Sequence, residues 1–112
     1  MADQSFHPAG TAERWRAMSL MAQLGNVGSE VARASRAKAH GNQHRHDLAL
    51  ARALELFDLT LGDARWQGRR KEIARAREVV CDFLVGDNVY GSTAASLDAY
   101  FLPYAVAARL GR

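Results

Sequence analysis

The residues best suited to chemistry lie in one basic stretch, from Val31 to His46. It holds four arginine or lysine residues, three histidines and no acidic residue: Arg33, Arg36, Lys38, Arg45, His40, His44 and His46. Histidine can act as a general acid or base near neutral pH, and arginine can stabilise a phosphate. The stretch therefore fits three kinds of site: a ribonuclease centre, a metal site or a phosphate-binding surface.

The ribonuclease interpretation depends on one pair. Six residues separate Arg33 from His40, a spacing that resembles the loose Arg-x4–6-His pattern of the HEPN ribonucleases, which are also helical bundles. In such an enzyme the histidine would move the proton and the arginine would steady the phosphate. The pair falls at the end of the first predicted helix, whereas that family places it near a later helix. We keep RNA cleavage as an alternative function.

The histidines do not predict a metal site. His40 and His44 are four residues apart, but Gly41-Asn42 interrupts the helix between them, and Asp47 is the only carboxylate nearby. Zinc sites need three or four ligands held in a fixed geometry. We therefore predict exposed loop histidines and no metal or other cofactor.

Two further candidates for chemistry are weak. Cys81 has no histidine close in sequence to activate it, so we predict a buried structural thiol. Asp58 lies at the flank of an apolar helical stripe, and the chain has no Glu-x-x-His motif of the di-iron bundles. Neither residue predicts an active site, and we expect a protein without catalytic residues.

A second basic run extends from Arg65 to Arg77, with six basic residues and one acidic residue. Such a run is typical of a phosphate-contacting surface, with Trp66 available to stack on a base. The alternative is a solvated helix face on which Glu72 and Glu78 pair with Arg75 and Lys71, while Trp66 packs in the core.

The predicted topology favours nucleic-acid binding. In an up-down-up-down bundle, the start of the third helix shares one end with the start of the first and the end of the fourth. Basic residues would gather there, with Glu13 and Asp63 as the main counter-charges, and a helix N-terminus adds partial positive charge. We call this end the basic pole: Arg14, Arg16, Arg65, Trp66, Arg69, Arg70 and Lys71, with Arg109 and Arg112 nearby. Arg36, Lys38 and Arg45 are the predicted nucleic-acid contacts in the other basic stretch.

The elements that position these residues are helices. Apolar spacing and turn residues predict helices over 12–39, 43–61, 66–85 and 93–110, the last with Ser92 as its N-cap. The predicted inward stripe of the second helix is Leu50, Leu54, Phe57 and Leu61, and that of the third includes Trp66. We predict a flexible tail over 1–11 and one all-α domain over 12–112, an up-down-up-down four-helix bundle whose last helix kinks at Pro103. Gly86 to Gly91 is predicted to be an ordered turn.

The first predicted helix is apolar on two adjacent faces. Leu20, Leu24, Val27 and Val31 line one face; Met18, Met21, Gly25, Gly28 and Ala32 line the next. Glycine costs about 1 kcal/mol relative to alanine within a helix, so two glycines here indicate that another chain segment packs very closely. Two apolar faces are more than one neighbouring helix usually covers, and we therefore expect a homo-oligomer or a chain that needs a partner.

Composition limits the class of protein. The chain has 112 residues, a hydrophobic content of 48% and a formal charge of +3, which suit one globular domain. No apolar run approaches the roughly 20 residues that span a bilayer, and no secretory signal pattern precedes the first helix. With a single cysteine, Cys81, we expect a cytoplasmic protein that does not bind membranes.

The segment from Trp15 to Ala34, with Met18-Ser19-Leu20, resembles the MSL accessory proteins of diversity-generating retroelements. Asp58-Leu59-Thr60 and the segment from Gly86 to Gly91 are also similar to that family. The resemblance implies a non-catalytic protein that binds a reverse transcriptase and its template RNA and supports mutagenic cDNA synthesis. It brings no catalytic residues. The alternatives are the HEPN-like RNA-cleaving toxin and a helical protein–protein adaptor that binds no nucleic acid.

Overall fold

The computed structural model describes residues 9–111, and within that range the protein is helical and has no strand. The helices are α1 (Ala9–Ala17), α2 (Leu20–Ala39), α3 (Gln43–Leu61), α4 (Arg70–Leu84) and α5 (Ala94–Arg109), with a 3₁₀ helix (Ala64–Arg69) before α4. The predicted all-α class is confirmed. Pro103 lies inside α5; the kink there and the up-down-up-down order stay predictions.

The N-terminal helix predicted over 12–39 is two helices. The Ser19 side chain caps α2 by accepting a hydrogen bond from the Ala22 backbone N–H at 3.1 Å, and Ser19 itself is extended. A serine cap favours a new helix start over continuation of α1. At the other end of α1, residues 9–11 are helical rather than part of a tail. Residues 1–8 of the predicted tail lie outside the described residues.

Two other predicted helix starts are wrong. Asp63 caps the 3₁₀ helix by accepting from the Arg65 N–H at 3.0 Å, and α4 begins only at Arg70. Trp66 has non-helical dihedral angles, so it precedes α4 instead of starting it. The N-cap of α5 is Thr93, not Ser92, because Thr93 and Ser96 form a reciprocal capping box.

α2 is the central helix and packs against both α3 and α5. Its predicted inward face, Leu20, Leu24, Val27 and Val31, is buried, as predicted. The buried face of α3 is displaced from the predicted stripe: Ala49, Ala53, Leu56, Phe57 and Thr60 are buried, whereas Leu50, Leu54 and Leu61 are only partly so. Alanines at the contact let α3 approach α2 closely.

The glycine face of α2 is covered by α5. A Cβ atom at Gly28 would lie 2.5 Å from Phe101 Cβ, and one at Gly25 would lie 3.1 Å from Ala105 Cα. The close packing that the glycines predict is therefore confirmed, but the neighbour is a helix of the same chain. This face no longer supports the predicted oligomer, which stays a prediction.

Two side chains from the α2–α3 hairpin hold the C-terminal end of α4. Lys38 Nζ donates to the Phe83 carbonyl at 2.6 Å and also lies over the Phe83 ring. His46 Nε2 donates to the Leu84 carbonyl at 3.1 Å, since a carbonyl oxygen can only accept. Both bonds satisfy carbonyls that the end of a helix leaves without a partner.

The predicted turn between Gly86 and Gly91 is ordered. The Asp82 carboxylate accepts the backbone N–H groups of Val89 at 2.8 Å and Tyr90 at 3.1 Å. Asn88 and Gly91 take positive φ angles of 54° and 67°. The tyrosine hydroxyl also binds Glu78 on α4. The loop is thereby fixed onto α4.

Candidate nucleic-acid interface

A buried hydrogen-bond network connects α1, α2 and the 3₁₀ helix beneath the predicted basic pole. Gln23 is completely buried; its Nε2 donates to the Trp15 carbonyl at 2.8 Å and to Asp63 at 3.3 Å. Its Oε1 accepts from the Trp66 indole N–H at 2.9 Å. The Trp15 indole donates to Thr60 at 3.0 Å. Both tryptophans are therefore held by the fold, and this network was not foreseen from the sequence.

Trp66 lies partly buried against the core, with one ring face under a neighbouring arginine. The Arg65 guanidinium carbon is 4.4 Å from the centre of the indole ring. A base that stacked on this face would have to displace Arg65. The arrangement therefore favours the alternative in which Trp66 packs against the core.

Two arginines of the basic pole are neutralised by adjacent carboxylates. Arg65 binds the buried Asp63 through Nε at 3.0 Å and Nη2 at 2.6 Å, and this pairing lowers the pKa of Asp63 to about 2. Arg69 binds Glu72 with two hydrogen bonds of 3.0 and 3.1 Å, which lower the pKa of Glu72. Arg69, rather than Arg75 or Lys71, is therefore the ionic partner of Glu72; Arg75 lies 4.0 Å from Glu78.

The rest of the basic pole is exposed. Arg70 and Lys71 make no ion pair with any described residue, and Arg14 and Arg16 are exposed on α1. Arg109 is exposed at the end of α5, and Arg112 lies outside the described residues. Binding of RNA by the pole stays a prediction, with Arg70 and Lys71 as its most available cations.

A groove of about 610 Å³ between α2 and α3 gathers the other basic stretch. We call it the α2–α3 groove, and its polar lining is Arg33, Arg36, His40, Asn42, Arg45 and Arg52. The spacing explains the grouping. Residues 33 and 36 share a face of α2, residue 40 follows at its C-terminal end, and 45 and 52 are two turns apart on α3. Arg52 was not predicted to belong to this site. Its position seven residues after Arg45 indicates that the two side chains share a face of α3.

The groove has a strong positive bias. Among the described residues that line it there is no acidic residue. Arg33 reaches the largely buried Glu30 at 2.5 Å, whereas Arg36 and Arg45 make no ion pair with any described residue. The N-terminus of α3, capped by Asn42, adds partial positive charge. Two available guanidinium groups beside a helix N-terminus suit phosphate binding.

Two predictions for the basic stretch change in the structure. Lys38 is absent from the groove lining, since its amine binds the end of α4. His46 is buried, so the prediction of an exposed loop histidine is wrong for it. His40 and His44 are exposed, as predicted. The His40 Nδ1 lies 2.8 Å from the Arg36 carbonyl, and His40 shares the groove with Arg33.

The other candidates for chemistry remain isolated. Within residues 9–111 no three histidine, cysteine or acidic side chains form a group that could hold a metal ion. Cys81 is partly buried, and burial raises the pKa of its thiol. A raised pKa keeps the sulfur protonated and less nucleophilic. Asp58 is exposed and pairs with Arg77 at 3.0 Å.

None of the helices in the described part of the chain combines the length and apolar character needed to cross a membrane. Comparison of the chain with protein-family models, curated proteins and solved structures gives no match. The features of the chain that bear on its function are therefore the groove, the pole and the resemblance of the Trp15 to Ala34 segment.

Proposed function

We propose that this chain is a non-catalytic accessory protein of a diversity-generating retroelement. In this role it binds the reverse transcriptase and template RNA in the cytoplasm, as a homo-oligomer, and supports mutagenic cDNA synthesis. The retroelement context is supported only by resemblance, chiefly of the Trp15 to Ala34 segment, with Asp58-Leu59-Thr60 and the segment from Gly86 to Gly91. RNA binding is supported by charges that are available on the folded protein.

The α2–α3 groove is the observation that carries RNA binding. Arg36 and Arg45 line it without an ionic partner among the described residues, and no described acidic residue opposes them there. When the phosphates of a single-stranded RNA enter the groove, guanidinium groups would replace the counterions that are condensed on the RNA. We assign the main phosphate contacts to Arg36 and Arg45, and a secondary contact to Arg70 and Lys71 at the basic pole.

The test compares two double variants that remove the same charge. Filter binding of a single-stranded RNA over a range of salt concentrations is measured for Arg36→Gln/Arg45→Gln and for Arg70→Gln/Lys71→Gln. The groove variant should bind more weakly, and its log–log salt slope should fall in magnitude by about 1.4, or about 0.7 for each lost phosphate contact. The pole variant should change less, since Arg70 and Lys71 are exposed and do not line the α2–α3 groove.

The possible results separate the functions. A larger loss in the pole variant would move the RNA site to the pole. Wild-type binding by both variants at every salt concentration would remove RNA from the proposal and favour the protein–protein adaptor. Arg33 and His40 share the groove, which is the observation that favours an RNA-cleaving alternative. RNA cleavage that is abolished in His40→Ala would establish that alternative.

The retroelement assignment has its own test. A reverse transcriptase gene, with paired template and variable repeats, should lie beside the gene for this chain. Co-purification of the two proteins should then survive ribonuclease treatment, because the proposal includes a direct protein contact. A genomic neighbourhood without a reverse transcriptase would overturn the assignment without affecting the RNA-binding test.

A further inference from the structure

The outer face of α5 is apolar and uncovered. Leu102, Val106 and Leu110 are 58%, 37% and 61% exposed, and Ala95 and Ala99 continue the same face toward the start of the helix. Of the helix's sixteen residues only Asp98 and Arg109 are charged. A helix that is apolar on its outer as well as its inner side normally has a partner on both sides.

The spacing of this face is that of a helix–helix seam. Residues 95, 99, 102 and 106 are separated by four, three and four positions. This alternation places apolar side chains along the line where two helices meet in a coiled coil. A helix is therefore a better fit to the face than an irregular loop.

The two charges identify the occupant. Asp98 and Arg109 lie on the same flank of the seam, about 16 Å apart along the helix, and neither makes an ion pair with any described residue. In an antiparallel helix pair, equal flanks of the two helices meet. The register that sets Leu102 against Val106 of a second copy also sets Asp98 within one residue of the second copy's Arg109. The face is thus complementary to itself.

We propose that two copies of this chain associate through α5, antiparallel about a two-fold axis, with Leu102 and Val106 at the centre and two symmetric Asp98–Arg109 ion pairs. The inference deepens the self-association included in the proposed function, and it leaves the α2–α3 groove free. A single helix pair is small compared with a standard protein interface. The dimer should therefore dissociate in the micromolar range.

Sedimentation equilibrium on the full chain tests the surface. The wild type should be a reversible monomer–dimer mixture, and Leu102→Asp should be monomeric. The matched control is Val89→Asp, which places the same charge at an 82% exposed apolar residue in the α4–α5 loop and should still dimerise. A monomeric wild type at several hundred micromolar, or a dimer unaffected by Leu102→Asp, would overturn the proposal.

A charge exchange tests the antiparallel pairing and does not depend on whether Leu102→Asp folds. Asp98→Arg and Arg109→Asp should each weaken dimerisation on the order of tenfold, because each creates two like-charge contacts. The double exchange Asp98→Arg/Arg109→Asp should restore it, and an equimolar mixture of the two single variants should form a heterodimer. Failure of the double exchange to restore the dimer would overturn the pairing.

RNA binding by the monomeric variant separates this inference from the proposed function. If Leu102→Asp binds RNA with the wild-type salt slope, the groove acts without the dimer, as we expect. If the wild type dimerises through α5 but binds no RNA, the proposed function fails and the dimer surface stands.

Discussion

Gln23 is the residue whose contacts join most of the N-terminal half. It lies on α2, but its amide binds Trp15 at the end of α1, Asp63 after α3 and Trp66 in the 3₁₀ helix. A buried amide is stabilising only when its donors and acceptor are satisfied. Here three hydrogen bonds satisfy them, so a glutamine in an otherwise apolar region fixes how α1 and the 3₁₀ helix lie on α2.

Replacing Gln23 with leucine should destabilise the protein by about 1–3 kcal/mol, because the Trp66 indole N–H would lose its buried acceptor and the Trp15 carbonyl would keep only the Met18 N–H. Denaturant unfolding measures the change. Gln67→Leu, an identical substitution at an exposed position, is the control and should change stability by no more than about 0.5 kcal/mol. Equal losses in the two variants would contradict a role for the buried network.

Asp63 should make stability depend on pH at the acidic end. Its pKa falls from the ordinary value of 3.8 to about 2 in the folded protein, mainly through Arg65. A lowered folded pKa stabilises the protein fully above pH 3.8, and this contribution disappears as the pH falls toward 2. We expect a contribution of about 1–2 kcal/mol, reduced from the full linkage value because Arg65 is partly exposed.

The measurement is the free energy of unfolding of the wild type and of Asp63→Asn between pH 2 and 7. The difference between the two proteins should be largest at neutral pH and should shrink as the pH falls below 3.8. This comparison cancels the titration of the other carboxylates. A difference that stays constant over the whole range would show that the ionised form of Asp63 contributes nothing.

At the scale of elements, the contact between α2 and α5 depends on a missing side chain. Gly28→Ala should destabilise the protein by about 1–3 kcal/mol, because the new Cβ would meet Phe101 Cβ at 2.5 Å, where neither atom moves freely. This loss of stability should exceed the stabilisation that alanine provides through its higher helix propensity. Gly68→Ala is the matched control, since a Cβ there meets nothing within 4 Å, and its thermal midpoint should not fall. An unchanged thermal midpoint for Gly28→Ala would indicate that α2 and α5 can move apart without loss of stability.

The sequence predicted the helices better than their starts. The inward face of α2 and the glycine contact were predictable because apolar periodicity and small residues act within one helix. The break at Ser19 and the late start of α4 were not, since serine and aspartate caps compete with helix continuation through one hydrogen bond each. Only part of the groove was predicted: Arg36 and Arg45 were named, whereas Arg52, on the same helix as Arg45, was not. Its place in the groove depends on how α3 packs on α2.

At the scale of the whole molecule, a net charge of +3 conceals an uneven distribution. Arg65 and Arg69 at the basic pole are neutralised by carboxylates within three residues, whereas the α2–α3 groove has no acidic lining among its described residues. Counting charges along the chain therefore favoured the pole, and the folded arrangement favours the groove. The uncovered surface of α5 differs from both basic surfaces, because it is apolar.

The division of the aromatic residues makes the two sides of the molecule separately visible by spectroscopy. Both tryptophans, Trp15 and Trp66, belong to the Gln23 network, whereas all three tyrosines, Tyr90, Tyr100 and Tyr104, belong to the α4–α5 loop and α5. Emission excited selectively at the indoles reports the junction of α1, α2 and the 3₁₀ helix and does not observe α5 directly. Second-derivative absorbance separates the tyrosine bands from the overlapping indole bands and so reports the side that carries the proposed dimer surface. One unlabelled sample can therefore record whether the two sides unfold together.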